Sequence, residues 1–561
     1  MHARLARQAR MAFGCLLAGT VAAAMAACAD DDDDAPDAAM DAALDARPPD
    51  AGPPAPDARL DADPAEDAAT PRVARILAFN DFHGAIAPGD ARPGAGALAA
   101  TIAMLRAEAT DSIVVSAGDL VGASPLESGY WHDEPTIEAM NAVGLAINAV
   151  GNHELDEGPA EILRLVEGGR CHADGCGPFG AHDGASFEML AANTFTDEIG
   201  GETLFAPYVV RELGGARVAF VGLTLERTRS IAAGAATLAF GDEADTVNAL
   251  VPELTAMGIE TVVVLVHEGG AQIGGPSGCD GLSGAIVGIV ERMDPEIDLV
   301  ISGHTHESYL CELDGRVVTS AGANGLFVTS IDLELDETGE LAHAVATNVE
   351  VPLDMAPEPT VAAVVDAWVE ATRDVRERRV GTVTATLRRE GPETCNFIAD
   401  AMLEAGAALG SAVDFAFMNL GGIRASIPYA PPGAVTFGEL YDVHPFGNRI
   451  VVLSLTGAEV VAALDEGPRP LCPSSRLAYR WSAARTGPEP DSVRLDDAPI
   501  DPAATYRVVV SDYNFAGGEG YTVFNERGTD TMAGGLVVDA MERFLAAHDV
   551  AIAAITRPVS G

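Results

Sequence analysis

A chain of 561 residues exceeds one ordinary core and implies two folded domains with further segments. Its formal charge of −50 excludes a nucleic-acid polymer as partner, because so acidic a surface repels phosphates at long range. Lysine is absent, which removes Schiff-base chemistry and the P-loop lysine, so an anionic substrate needs metals or a few arginines.

The N-terminus carries Arg4, Arg7 and Arg10 before an apolar run from Met11 to Ala27, a pattern of export rather than of folding. Met25-Ala26-Ala27-Cys28 resembles a bacterial lipobox, which makes residues 1–28 a lipoprotein signal peptide and Cys28 the lipid anchor; the alternative is ordinary cleavage nearby. Ala29 follows, so the aspartate that often retains such proteins at the inner membrane is absent there, and an outer-membrane anchor facing the periplasm or cell surface is expected. Residues 29–72 are a disordered acidic Ala/Asp/Pro tether with five consecutive aspartates, Asp30 to Asp34. By coil scaling it spans roughly 35–40 Å. Of eight cysteines, Cys15 lies in the signal; the six after the tether suit disulfides in an exported protein. Cys171–Cys176 and Cys279–Cys311 are the expected pairs, and Cys395–Cys472 is open.

From residue 73 to 351, short apolar runs each end in polar residues. Residues 73–79 precede Asn80-Asp81-Phe82-His83, and 112–116 precede Gly118-Asp119. Residues 146–150 precede Gly151-Asn152-His153, 261–266 precede His267, and 298–301 precede Ser302-Gly303-His304-Thr305-His306. Runs of this length rich in β-branched residues predict buried strands, and helical patterns at 97–109 and 136–143 between them predict an α/β domain. Ligands gather at the carboxyl ends of such strands. Residues 352–379 predict a linker helix, with apolar residues at three-to-four spacing over 361–379. A second domain, 380–561, shows helices at 396–408 and 457–464 and strands at 450–455 and 506–510.

Asp81, His83, Asp119, Asn152, His267, His304 and His306 are imidazole, carboxylate and amide donors, a set suited to Zn²⁺, Mn²⁺ or similar ions. An aspartate can bridge two cations, so seven ligands with one shared hold two metals with room for water and a phosphate oxygen. Seven of the twelve histidines, among them His132, His172, His182 and His444, match no metal or catalytic pattern in sequence.

Asn80-Asp81-Phe82-His83-Gly84, Gly118-Asp119, Gly151-Asn152-His153-Glu154-Leu155-Asp156, His267 and Gly303-His304-Thr305-His306 resemble the calcineurin-like metallophosphoesterase motifs in the version found in 5′-nucleotidases. In the second domain, Asn419-Leu420-Gly421-Gly422-Ile423-Arg424 and His444-Pro445-Phe446-Gly447 resemble the substrate-binding motifs of that family. The resemblance implies a four-layer αββα sandwich over 73–351, a linker helix and a smaller α/β nucleotide-binding domain. It implies one metal on Asp81, His83, Asp119 and His306 and another on Asp119, Asn152, His267 and His304. His153 would face the scissile phosphate, oriented by Asp156. Attack by a metal-bound hydroxide would release phosphate from extracytoplasmic 5′-nucleotides.

On the substrate side, the resemblance implies Asn419, Gly421, Gly422 and Arg424 around the nucleotide, with Phe446 and Phe515 stacking on the base. Asn514-Phe515-Ala516-Gly517-Gly518-Glu519 is shorter than the family segment, and Glu519 stands where aspartate is usual. Arg388 is a further candidate for the phosphate. The same architecture serves UDP-sugar hydrolases, cyclic-nucleotide phosphodiesterases and thiosulfohydrolases, and a nucleotide-binding lipoprotein without catalysis is the rival from another class.

Overall fold

The structure, a computed structural model, describes residues 72–551 except 411, 468, 483–486 and 490. The signal peptide, the lipobox cysteine and all of the tether but Arg72 lie outside the described residues.

Alternation within single strands builds the N-terminal half. In Thr261–His267, Val262, Val264 and Val266 face one core while Val263 and Leu265 face another. In Arg72–Phe79, Leu77 and Phe79 point one way and Ala74, Ile76 and Ala78 the other. A strand buried on both faces must have layers on both sides, and the side chains of period two supply them.

Two six-stranded sheets result. The first runs Leu341–Glu350, Phe327–Leu335, Arg72–Phe79, Ser112–Ser116, Ile147–Ala149, Glu188–Leu190. The second runs Ser308–Leu313, Arg316–Ala321, Leu299–Ser302, Thr261–His267, Ala216–Thr224, Tyr208–Leu213. Ile76, Val115, Phe220 and Leu265 share the core between the sheets. Helices Gly94–Ala107, Glu134–Val143 and Pro359–Glu377 cover the outer face of the first, and Glu243–Ala256 and Ala285–Val290 that of the second. This is the four-layer αββα sandwich. Its interior strands are parallel (Arg72–Phe79 on Ser112–Ser116, Thr261–His267 on Leu299–Ser302), so their carboxyl ends emerge on one side.

The C-terminal half has a five-stranded sheet, ordered Cys472–Pro473, Phe415–Met418, Thr505–Ser511, Arg449–Thr456, Thr529–Leu536. Pro392–Ala408 and Val537–Ala547 pack on one face and Gly457–Glu466 on the other.

Pro359–Glu377 joins the halves. Glu358 caps it by accepting from the backbone N–H of Val361 at 2.8 Å. Its buried stripe is Val361, Val365, Trp368 and Thr372, and Trp368 Nε1 donates to Glu138 Oε2 at 2.8 Å. Near its end, Arg376 reaches Glu127 at 2.6 Å in the N-terminal half and Asp442 at 3.2 Å in the C-terminal half. All three disulfides form, Cys171–Cys176, Cys279–Cys311 and Cys395–Cys472. No helix of the described residues is long and apolar enough to cross a membrane.

Candidate active site

Each candidate ligand sits where a buried strand ends and its chain must turn at once. That geometry shows in the backbone: Asp81, His83, Asp119, His304 and His306 all have φ between 48° and 70°. Such left-handed conformations are uncommon for residues with side chains and cost of order 1 kcal/mol each, so the surrounding structure must impose them. Gly151 shows how tight the turns are, because a Cβ there would collide with Asp119 Oδ1.

The turns bring six of the seven candidates into two groups that share a centre. Asp81, His83 and His306 form one, and Asp119, His267 and His304 the other. His83 Nδ1 donates to the carbonyl of Gly122 at 2.9 Å, which leaves its Nε2 as a lone pair. That lone pair faces His306 Nε2 at 3.0 Å and lies 3.8 Å from both Asp81 and Asp119. His267 Nδ1 likewise donates to Ala117 O at 2.7 Å, so its Nε2 is turned to Asp119 Oδ2, 2.9 Å away.

Divalent metals fit this donor set on the structure's own terms. His267 Nε2, near as it is to Asp119, and Asn152 Oδ1 are fully buried without a well-formed hydrogen bond. The ring nitrogens His83 Nε2 and His306 Nε2 meet at 3.0 Å beside buried carboxylates. Orphaned acceptors of this kind are costly unless a cation satisfies them.

His153 stands beside the cluster. Its backbone N–H donates to Asp119 Oδ1 at 2.9 Å, and its Nδ1 meets Asp156 Oδ2 at 2.7 Å. Burial opposes a charge there, yet the Asp156 and Asp119 carboxylates raise its pKa to about 9. Burial carries His304 the other way, to about 3, helped by His267.

Two residues here escaped the sequence reading. Glu154 is buried, and its carboxylate accepts from the backbone N–H groups of Asp119 (3.0 Å), Leu120 (2.9 Å) and Gly151 (2.8 Å) and from Asn148 Nδ2 (3.2 Å). It ties together the turns that carry Asp119 and Asn152. Arg227 donates to His304 Nε2 at 3.0 Å and lies 3.5 Å from Glu268. Glu154 lay inside the quoted motif; nothing local in sequence marks Arg227.

The C-terminal motifs close over the same place. His444 Nδ1 donates to Gly422 O at 2.7 Å and Arg424 N to Val443 O at 2.8 Å, which fastens the two motif loops to each other. The Arg424 guanidinium consequently lies over the Phe446 ring at 5.1 Å, and Phe446 faces His153 at 6.4 Å with planes 26° apart. Arg424 is exposed and makes no ion pair among the described residues. Glu519 Oε1 accepts from Asn419 Nδ2 at 2.8 Å and Gly421 N at 3.1 Å, while its Oε2 is buried with no partner. A side chain at Gly421 would meet Glu519 Oε1 and displace that carboxylate from its bond to Gly421 N.

Two expected substrate residues are placed elsewhere. Phe515 packs, half-buried, against the core that holds Phe417 and Val508. The neighbouring Tyr513 lies instead close to Gly518, with its hydroxyl pushed up to about 12 by burial and by Glu519. Helical turn Asp512–Phe515 points the two rings apart, and pattern alone did not say which one faces the site. The guanidinium of Arg388 is taken by Glu393, at 2.6 Å.

Comparison with known proteins accords with this geometry. Residues 74–308 match the calcineurin-like phosphoesterase family and residues 370–526 the 5′-nucleotidase C-terminal domain. The chain is 28% identical to "Endonuclease YhcR" of Bacillus subtilis, over 85% of this chain and 40% of that protein. It is 30% identical to "Cell wall protein Lmo0130" of Listeria monocytogenes, over 81% of this chain and 64% of that protein. The chain thus spans about half the length of these curated relatives. Among solved structures, a 5′-nucleotidase precursor from Thermus thermophilus is 25% identical with a TM-score of 0.67, covering 85% of this chain and 97% of that one.

Proposed function

Because this chain belongs to the calcineurin-like phosphoesterases that carry a 5′-nucleotidase C-terminal domain, we propose that it is a metal-dependent phosphohydrolase releasing phosphate from 5′-nucleotides outside the cytoplasm. The observation that carries this reading is the convergence of ligand-type side chains from four strand ends beside His153, under Phe446 and Arg424 of the C-terminal half. The three disulfides support an oxidising, extracytoplasmic location.

One cation would be held by Asp81, His83, Asp119 and His306, and a second by Asp119, Asn152, His267 and His304. Bound there, divalent cations supply Lewis acidity towards a phosphoryl group and its attacking water. The protein's own residues do the rest. His153 donates a hydrogen bond to the reacting phosphate, and Asp156 fixes its ring. Arg424, free of carboxylate partners among the described residues, offers a fork to phosphate oxygens. Phe446, and Tyr513 in place of Phe515, offer faces to the base. Glu519 spends one oxygen on Asn419 and Gly421 and keeps the other for substrate hydroxyls.

The deciding experiment is phosphate release from AMP, ADP, ATP, UDP-glucose, a cyclic nucleotide and single-stranded RNA, with Mn²⁺, with Zn²⁺ and after chelation. Metal-dependent release from AMP is expected, with RNA left intact. Metal-dependent cleavage of RNA, or no release from any nucleotide by metal-loaded protein, overturns the reading.

A further inference from the structure

Outside the strand-end cluster, the described residues hold a second group of nitrogen and oxygen donors. His132 and His172 stack with ring centroids 3.4 Å apart and planes 20° apart. His132 leaves the turn before Glu134–Val143 with φ of 52°, and His172 lies inside the loop closed by Cys171–Cys176.

One carboxylate orients both rings. Glu157 receives His132 Nδ1 at 3.0 Å and His172 Nε2 at 3.2 Å. If both nitrogens donate to it, the opposite nitrogens, His132 Nε2 and His172 Nδ1, are left as lone pairs. Both lone pairs lie on the side of Asp174 Oδ2, 3.9 Å and 3.7 Å from it. A carboxylate behind a histidine, fixing its tautomer so that the far nitrogen faces outward, is how ligating imidazoles are held. Here one carboxylate does this for two rings. The present tenant of His172 Nδ1 is only the backbone N–H of Asp174, at 3.1 Å.

We propose that His132, His172 and Asp174 form a further divalent-cation site, held in tautomer by Glu157. Two imidazole nitrogens and one carboxylate oxygen are a borderline-soft set suited to Zn²⁺. The cation would clamp the Cys171–Cys176 loop to the turn before Glu134–Val143. His132, His172 and Glu157 line the same cavity as His153 and Phe446, so the cation stiffens the wall of the cleft between the halves.

The test is zinc content of the full chain after loading and gel filtration, compared among wild type, His132→Asn and Asp174→Asn. Each variant is expected to retain one zinc per chain fewer than wild type. Only the difference is read, so the result is independent of how many cations the strand-end cluster takes. Asparagine tolerates the left-handed backbone at position 132. The side chain of Asp174 is 81% exposed, so its replacement leaves the packing intact. Zinc content equal to wild type in either variant overturns the site.

Discussion

Asp119 concentrates the demands of the site in one side chain. It faces His267 at 2.9 Å and His83 at 3.8 Å, receives the backbone N–H of His153, and sits where Gly151 leaves no room for a β-carbon. Asp119→Asn keeps the shape and removes the charge shared by both groups of ligands. Turnover is expected to fall by more than the ~10–100-fold typical of groups that only hold a ligand, with cation content falling too. Full metal content with near-normal turnover would remove Asp119 from its shared position. Glu154→Gln tests a residue that touches no substrate. Each of its oxygens accepts two N–H donors, so an amide must turn one N–H₂ towards them. A fall of about 10–100-fold in kcat with KM for AMP little changed is expected, together with weaker metal retention. Wild-type retention would make Glu154 a packing residue only. The candidate ligands were legible because histidine, aspartate and asparagine recur just after apolar runs. Glu154, Arg227 and Tyr513 were not, because their roles come from partners far along the chain or from the facing of one short helical turn.

At the scale of elements, burial decided what could be read. Thr261–His267 is buried throughout and reads as an unbroken run of valines and leucine. Leu341–Glu350 is an edge strand with no fully buried residue, and its sequence gives no strand signal; it takes its form from pairing with Phe327–Leu335. The hairpin of Tyr208–Leu213 and Ala216–Thr224 escaped for the same reason on one side, since its outer strand is largely half-exposed. At the start of the two central strands of the second sheet, Asp298 accepts the backbone N–H of Val262 at 2.8 Å. Burial raises its carboxyl to about 7, against that hydrogen bond and with help from Glu340 and Glu296. A folded pKa above the unfolded one favours folding while the acid is protonated, and that contribution is lost as pH rises from about 4 to about 7. Asp298→Asn should therefore gain stability relative to wild type across this window and level off above it, as read by urea unfolding at several pH values. A stability difference independent of pH would show that Asp298 titrates normally.

For the whole molecule, the question is how the halves share a substrate. Phe446 comes from the C-terminal half and faces His153 of the catalytic half, with Arg424 on the ring. Base stacking is worth roughly 1–3 kcal/mol, so Phe446→Ala should raise KM for AMP about 5–100-fold and leave a small aryl phosphate ester almost untouched. Equal losses on both would make the ring a spacer between the halves. The C-terminal architecture was legible from its helices and central strands, whereas the closeness of its motif loops to the N-terminal half rests on tertiary contacts such as Phe446 with His153.

The order of the first sheet has a consequence for biogenesis. The strand that carries Asp81 and His83 lies between Ser112–Ser116 and Phe327–Leu335, and the opposing sheet contributes His267, His304 and His306. A nascent chain therefore cannot assemble the ligand set until more than half of it has left the ribosome. The last strands to be synthesised in this half seal the first. The candidate ligand groups are therefore complete only once this half has closed on itself.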